Sequence, residues 1–329
     1  MVTTVEWEDV PRTDIPRDRW GRPMVIPPGA SAKRVAYRRT TTFVGVLEDT
    51  SALAQWKARM VALGMGQRPD LVLAAAAADP TDKTTLRDIA EKAAEHAGSK
   101  AAATTGTALH ALTERIDRGL ELGAVPNDYV ADLRAYEEAT RGIEWLGVET
   151  FRVHDDWQVA GTADRIGIYR GRRVVLDIKT GSIEYGVLKM AMQLAMYAHM
   201  TPYDVATDRR GEPEGLDPNL GIIIHLPAGE GRCTLHEVDL GKGWGACQLA
   251  REVWHWRQTK GIMRPVDAPR TDTWSRSNSP SPPPTWESLI EAADSVEALR
   301  NVWQRAAEFG QLTDELRALC VERSKKLSA

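Results

Sequence analysis

Beyond residue 36 the chain switches between two hydrophobic periods. Leu53, Trp56, Met60 and Leu63 recur at helical spacing and predict an amphipathic helix, after a short extended piece that begins at Tyr37. The alanine-rich run Leu71–Ala78 predicts a second helix, stopped by Asp79-Pro80, and Thr84–His96 a third, interrupted at Gly98. A further helix is expected from about Thr105 to Gly123. Another covers Asn127–Arg141, with Val130, Leu133 and Tyr136 on one face. After Gly142 the period falls to two. Val148–Asp155 and Trp157–Tyr169 alternate and carry β-branched residues, and Arg170-Gly171-Arg172 turns the chain into Arg173–Gly181. Glu184–Met200 reads as a long helix, Leu220–Pro227 and Cys233–Leu240 as a hairpin, and Gly245–Lys260 as another helix.

The two ends differ from this middle. Residues 1–36 are rich in proline, arginine and aspartate without periodicity, and predict an irregular extension over the surface. Residues 277–284, SNSPSPPP, read as an extended linker. Residues 285–329 then predict a small helical accessory module, a hairpin of Trp286–Phe309 and Thr313–Leu327, with Asp294 and Thr313 as expected N-caps. That leaves 37–276 as one domain.

Composition narrows the class. With 329 residues, 43% hydrophobic and 27% charged, the chain can bury one large core and is neither disordered nor fibrous. A net charge of −4 argues against a broadly basic coat, but leaves room for a local basic groove. The sequence has no apolar run long enough to span a membrane, and its first twenty residues lack the apolar stretch of a signal peptide. The expected location is therefore the cytoplasm. Cys233, Cys247 and Cys320 are odd in number and scattered, which speaks against a disulfide framework or a structural zinc site.

The candidate chemistry lies in the strands. Asp177 and Lys179 project from one face of their strand while Ile178 points to the other, and Asp164 on the preceding strand can reach the same end of the sheet. Two carboxylates and a backbone carbonyl make a hard-oxygen set suited to Mg²⁺ or Mn²⁺. The lysine can orient a water and stabilise charge on phosphoryl oxygens. A D-x-K triplet alone arises about once by chance in a chain of this length; here it ends the apolar run Val174–Leu176 and faces a second aspartate. Gln193 and Tyr197, four apart on a helix, either cover such a site or belong to an ordinary polar stripe. His110 and Glu114 share that spacing and read as a metal ligand with its support, or as a helix-surface pair. Glu149 is either a further carboxylate near the site or a solvated strand residue. Arg38, Arg39, Lys57 and Arg59 make the N-terminal segment locally basic and suited to tracking phosphates.

Taken in order, GTALH with His110, GTAD with Asp164, LDIK with Asp177 and Lys179, and QLAMY with Gln193 and Tyr197 resemble the PD-(D/E)XK nuclease superfamily, in its RecB-like exonuclease branch. The segment from Tyr37 to Met60 is similar in style to bacteriophage-encoded members, which would place the chain in a bacterial host's cytoplasm. The resemblance implies an α/β fold, a central mixed sheet flanked by helices around a restriction-endonuclease-like core, with a helix-rich N-terminal part. It implies one or two Mg²⁺ or Mn²⁺ ions held by His110, Asp164, Asp177 and the carbonyl of Ile178. Lys179 would position the attacking water, and Gln193 and Tyr197 would hold the DNA strand. The implied activity is a DNA exonuclease of recombination and end processing, with a structure-specific or restriction-type endonuclease, or a non-catalytic DNA-binding protein, as alternatives. A single-strand annealing recombinase or a helicase is the implied class of partner. Many relatives bind an iron–sulfur cluster through four cysteines; three dispersed cysteines lead us to expect none.

Overall fold

The computed structural model describes residues 14–29, 33–263, 285–308 and 312–327. The expected linker at 277–284 and the start of the N-terminal extension lie outside the described residues. The chain forms two compact units, Met1–Arg251 and Glu252–Ala329.

The first unit opens with two short strands, β1 (Met24–Val25) and β2 (Val35–Ala36), which pair antiparallel. They are followed by β3 (Arg38–Arg39) and a short helix, α1 (Thr40–Val44). Four of the expected helices come next: α2 (Ser51–Gln67), α3 (Pro69–Ala77), α4 (Lys83–His96) and α5 (Ala101–Asp117). The Asp82 carboxylate caps α4 by accepting from the amides of Thr84 and Thr85. Helix α6 (Asn127–Thr140) completes the helical part.

Helices α2 and α4 pack so closely that a Cβ on Gly64 would lie 1.8 Å from the Ala93 carbonyl oxygen. Backbone cannot yield cheaply, so Gly64→Ala should destabilise the protein by about 1–3 kcal/mol despite its helix propensity. A lowered midpoint in urea unfolding checks this; an unchanged or raised one would refute the contact.

The strands follow as β4 (Glu144–His154), β5 (Val159–Tyr169) and β6 (Arg172–Lys179). After them come α7 (Val187–Ala198), β7 (Thr201–Asp204), β8 (Arg209–Arg210), β9 (Leu220–His225), β10 (Thr234–Asp239) and α8 (Leu240–Arg257). Helix α7 starts three residues later than its periodicity suggests, because Gly186 adopts a left-handed φ of 75° immediately before it. The sheet runs β10-β9-β6-β5-β4-β7-β8, with β3 added beside β5. It is mixed: β6 pairs parallel with β9 and antiparallel with β5. The expected α/β fold, a mixed sheet flanked by helices, is the fold observed.

The register of β5 carries the main consequence. One side of β5 is paired along its length by β4. On the other side β6 pairs Arg165–Tyr169 and β3 pairs Val159–Ala160. Among the described residues, Gly161–Asp164 have no strand partner on that side, so the sheet opens there. The core flanks the opening: Leu176, Ile178, Ile222 and Ile224 are fully buried with Tyr136 of α6.

The second unit contains α9 (Trp286–Ala292), α10 (Val296–Glu308) and α11 (Asp314–Leu327) around Ile290, Leu299, Leu316 and Cys320. The stretch read as one helix from Trp286 is thus two, and the hairpin becomes three helices. Ser295 rather than Asp294 caps α10, by accepting from the Ala298 amide, while Thr313 caps α11 as expected. No helix among the described residues is long and apolar enough to cross a membrane.

Candidate metal centre

The opening in the sheet brings together residues distant in sequence. Asp164, at its edge, accepts a hydrogen bond from the Ile178 amide through Oδ2 (3.0 Å), so a carboxylate stands where a ladder partner would be. His110 reaches the same carboxylate from α5, with Nδ1 3.6 Å from Asp164 Oδ2. Its imidazole also faces the Ile178 backbone. Glu149 comes from β4, where its φ of 53° breaks the extended run. One ligand atom from each of His110, Glu149 and Asp164 lies within 4.8 Å of the others. A non-glycine residue held in the left-handed region costs about 1–3 kcal/mol, and such strain concentrates at functional sites.

Asp177 and Lys179 adjoin this cluster as an ion pair. Asp177 is buried; its Oδ1 accepts from the Gln193 Nε2 of α7 (3.0 Å), while Oδ2 meets Lys179 without hydrogen-bond geometry. Tyr197, one helical turn on, is buried, and its hydroxyl feels the charges of both Asp177 and Asp164. The face of α7 therefore covers the carboxylates. Glu114 pairs with Arg118 (3.2 Å) and lines the cleft beside His110. Arg39 lines a second cavity and Arg38 lies half-buried beside the β4–β5 turn, donating its amide to the Gln158 carbonyl.

Burial sets the electrostatics. It pushes Asp177 up to about 6, reinforced by the neighbouring Asp164, and it raises Asp164 as well. It lowers His110, leaving the imidazole neutral at pH 7 with a lone pair to donate. The Asp164 and Asp177 carboxylates repel each other, and a divalent cation held at the His110–Glu149–Asp164 cluster would relieve that repulsion. The donor set of carboxylate oxygens and one imidazole that His110, Glu149 and Asp164 bring together fits Mg²⁺ or Mn²⁺. A cleft of about 480 Å³ leads to the cluster, walled on α5 by small residues such as Ala103, Gly106 and Ala111. Gly106 is needed for this approach, since a Cβ there would lie 2.6 Å from Thr180 Oγ1.

Residues 81–209 match the family model of the PD-(D/E)XK nuclease superfamily. No curated protein matches the chain. The superfamily is one of metal-dependent nucleases, and the matched span, rather less than half of the chain, contains His110, Glu149, Asp164, Asp177, Lys179, Gln193 and Tyr197.

Two participants escape a reading of the sequence, Arg165 and Thr40, while Glu149, which the sequence left open between a further carboxylate near the site and a solvated strand residue, lies in the ligand cluster. Arg165, wholly buried, donates to Asp117 and to the Asp164 carbonyl and lies 3.6 Å from Glu149. An arginine between Ala163 and Ile166 in an apolar strand was the available signal. Thr40, outside the nuclease-superfamily span, is buried next to Gly161.

Proposed function

We propose that the chain is a Mg²⁺- or Mn²⁺-dependent DNA exonuclease acting at DNA ends in recombination or end processing. The observation that carries this reading is the convergence of His110, Glu149 and Asp164 beside the Asp177–Lys179 pair, within the nuclease-superfamily span. His110, Glu149, Asp164, Asp177 and the Ile178 carbonyl would hold one or two ions. A divalent ion there would polarise the phosphoryl group and acidify the attacking water. Lys179 orients that water and balances charge developing on phosphorus oxygens. Gln193 fixes the Asp177 carboxylate, and Tyr197 backs the path of the DNA strand. Glu114 supports the His110 helix. A single-strand annealing recombinase or a helicase is the class of partner that such an activity serves.

Incubation of linear and covalently closed DNA with Mg²⁺ or Mn²⁺ tests the reading. Loss of linear DNA with circles intact is the expected result. Cutting of circles would make the enzyme an endonuclease, and failure to cut either would leave a DNA-binding protein with a nuclease fold.

A further inference from the structure

A second cavity, of about 180 Å³, lies further along the same opening in the sheet. Its lining includes Arg17, Arg39, Thr40, Gly161, Thr162 and Tyr197, and no acidic residue. The contrast with the cleft at the metal centre, lined by Glu114, Glu149 and Asp164, is one of charge. Arg39 is exposed and joins no ion pair among the described residues, and Arg17 gives one guanidinium nitrogen to the Gly21 carbonyl (2.9 Å). Thr40 is only 1% exposed, and its Oγ1 completes no hydrogen bond although it approaches the Tyr197 phenol. A buried hydroxyl without a partner is unfavourable unless a ligand supplies one. Gly161 makes the space: a Cβ there would lie 2.6 Å from Thr40 Oγ1 and 3.1 Å from a ring carbon of Tyr197.

We propose that this cavity is a phosphate subsite, which receives the phosphate of a DNA strand neighbouring the one at the metal centre. Guanidinium groups and hydroxyl donors without a carboxylate suit a phosphate and repel a cation. The spacing suits a continuous strand: Gly161 and Thr162 precede Asp164 on β5 by two or three residues, about 7–10 Å. Tyr197 touches both places, lining the cavity while feeling the charges of Asp164 and Asp177. Arg39 and Arg17 hold the phosphate charge, Thr40 donates its orphaned hydroxyl, and the strand then threads the opening toward Asp164. The inference rests on the nuclease reading. It adds residues outside the matched span to substrate binding.

The test uses the full chain in EDTA, with a single-stranded oligonucleotide labelled at its 3′ end and carrying either a 5′-phosphate or a 5′-hydroxyl. Arg39→Gln and Thr40→Val should each weaken binding on the order of tenfold. Arg39→Gln should also reduce the salt slope of log K by about 0.7, one phosphate contact to a single strand. Thr40→Val should retain or raise the melting temperature while losing affinity, a combination that a purely structural threonine would not give. Equal losses with both oligonucleotides place an internal phosphodiester in the cavity, and a loss confined to the 5′-phosphorylated strand places a terminal phosphate there; either supports the subsite. Unchanged affinity and salt slope in both variants overturn it. If the wild-type chain cleaves DNA and the variants keep its KM, the subsite alone fails; if it neither binds nor cleaves DNA, the nuclease reading fails with it.

Discussion

Asp177→Asn is expected to abolish DNA cleavage and, in the same molecule, to raise the melting temperature of the metal-free protein at neutral pH. Asparagine keeps the shape and the oxygen that accepts from Gln193, but removes a charge from a buried position beside Asp164. Burial and Asp164 raise the folded-state pKa of Asp177 from 3.8 to about 6, so the folded protein binds this proton more tightly than the unfolded chain. The charged carboxylate therefore opposes folding fully above pH 6. Its penalty shrinks as pH falls through 6 and is gone below the unfolded value. The gain from asparagine should be at most about 3 kcal/mol at pH 7.5, or several degrees, and should fade towards pH 4. Thermal melts in EDTA at pH 7.5 and 4.5, with a cleavage assay alongside, measure both effects. Surviving cleavage, or a lower melting temperature at pH 7.5, would contradict the role given to Asp177.

Arg165→Met should cost about 3–5 kcal/mol, because it strands a buried carboxylate. Arg165 and Asp117 are both almost wholly buried, and Asp117 also accepts from the Tyr136 hydroxyl (2.6 Å). Burial holds Asp117 above the usual carboxylate range even with the guanidinium beside it. Without that partner it must protonate or draw in water. Replacing the set, as Arg165→Met with Asp117→Leu and Tyr136→Phe, should recover part of the loss, since no buried carboxylate is then stranded, although the Asp164 carbonyl still loses its arginine donor. Urea unfolding of the single and triple variants decides. A single variant within about 1 kcal/mol of wild type would mean that the pair contributes little.

What the sequence made legible was what is local. Asp177 and Lys179 are two apart on a strand, Gln193 and Tyr197 four apart on a helix, and such spacings fix a shared face before any tertiary contact exists. Their order along the chain was enough to resemble a family, and the mixed sheet followed. The partners of Glu149 and Thr40 were not legible. Glu149 joins the cluster through one residue of left-handed backbone inside a strand, and alternation assigns no face across such a break. Thr40 meets Gly161 across 121 positions of sequence, and β3, which positions it, is two residues long. The division of the C-terminal stretch at Ala293–Ser295 was hidden because the helical period carries across it, with only the Ser295 cap to mark the restart.

The unpaired run in β5 has one more consequence. An exposed strand edge is a template for joining other chains, and proteins blunt such edges with charge, short strands or covering elements. Here the open backbone lies inside the sheet, with β6 on one side of it and β3 on the other, along the same strand margin. An incoming strand from another molecule finds only four residues, Gly161–Asp164, and a carboxylate already occupying the Ile178 amide. Backbone is thus left uncovered beside the candidate metal centre in a gap too short and too flanked to serve as a template for an added strand.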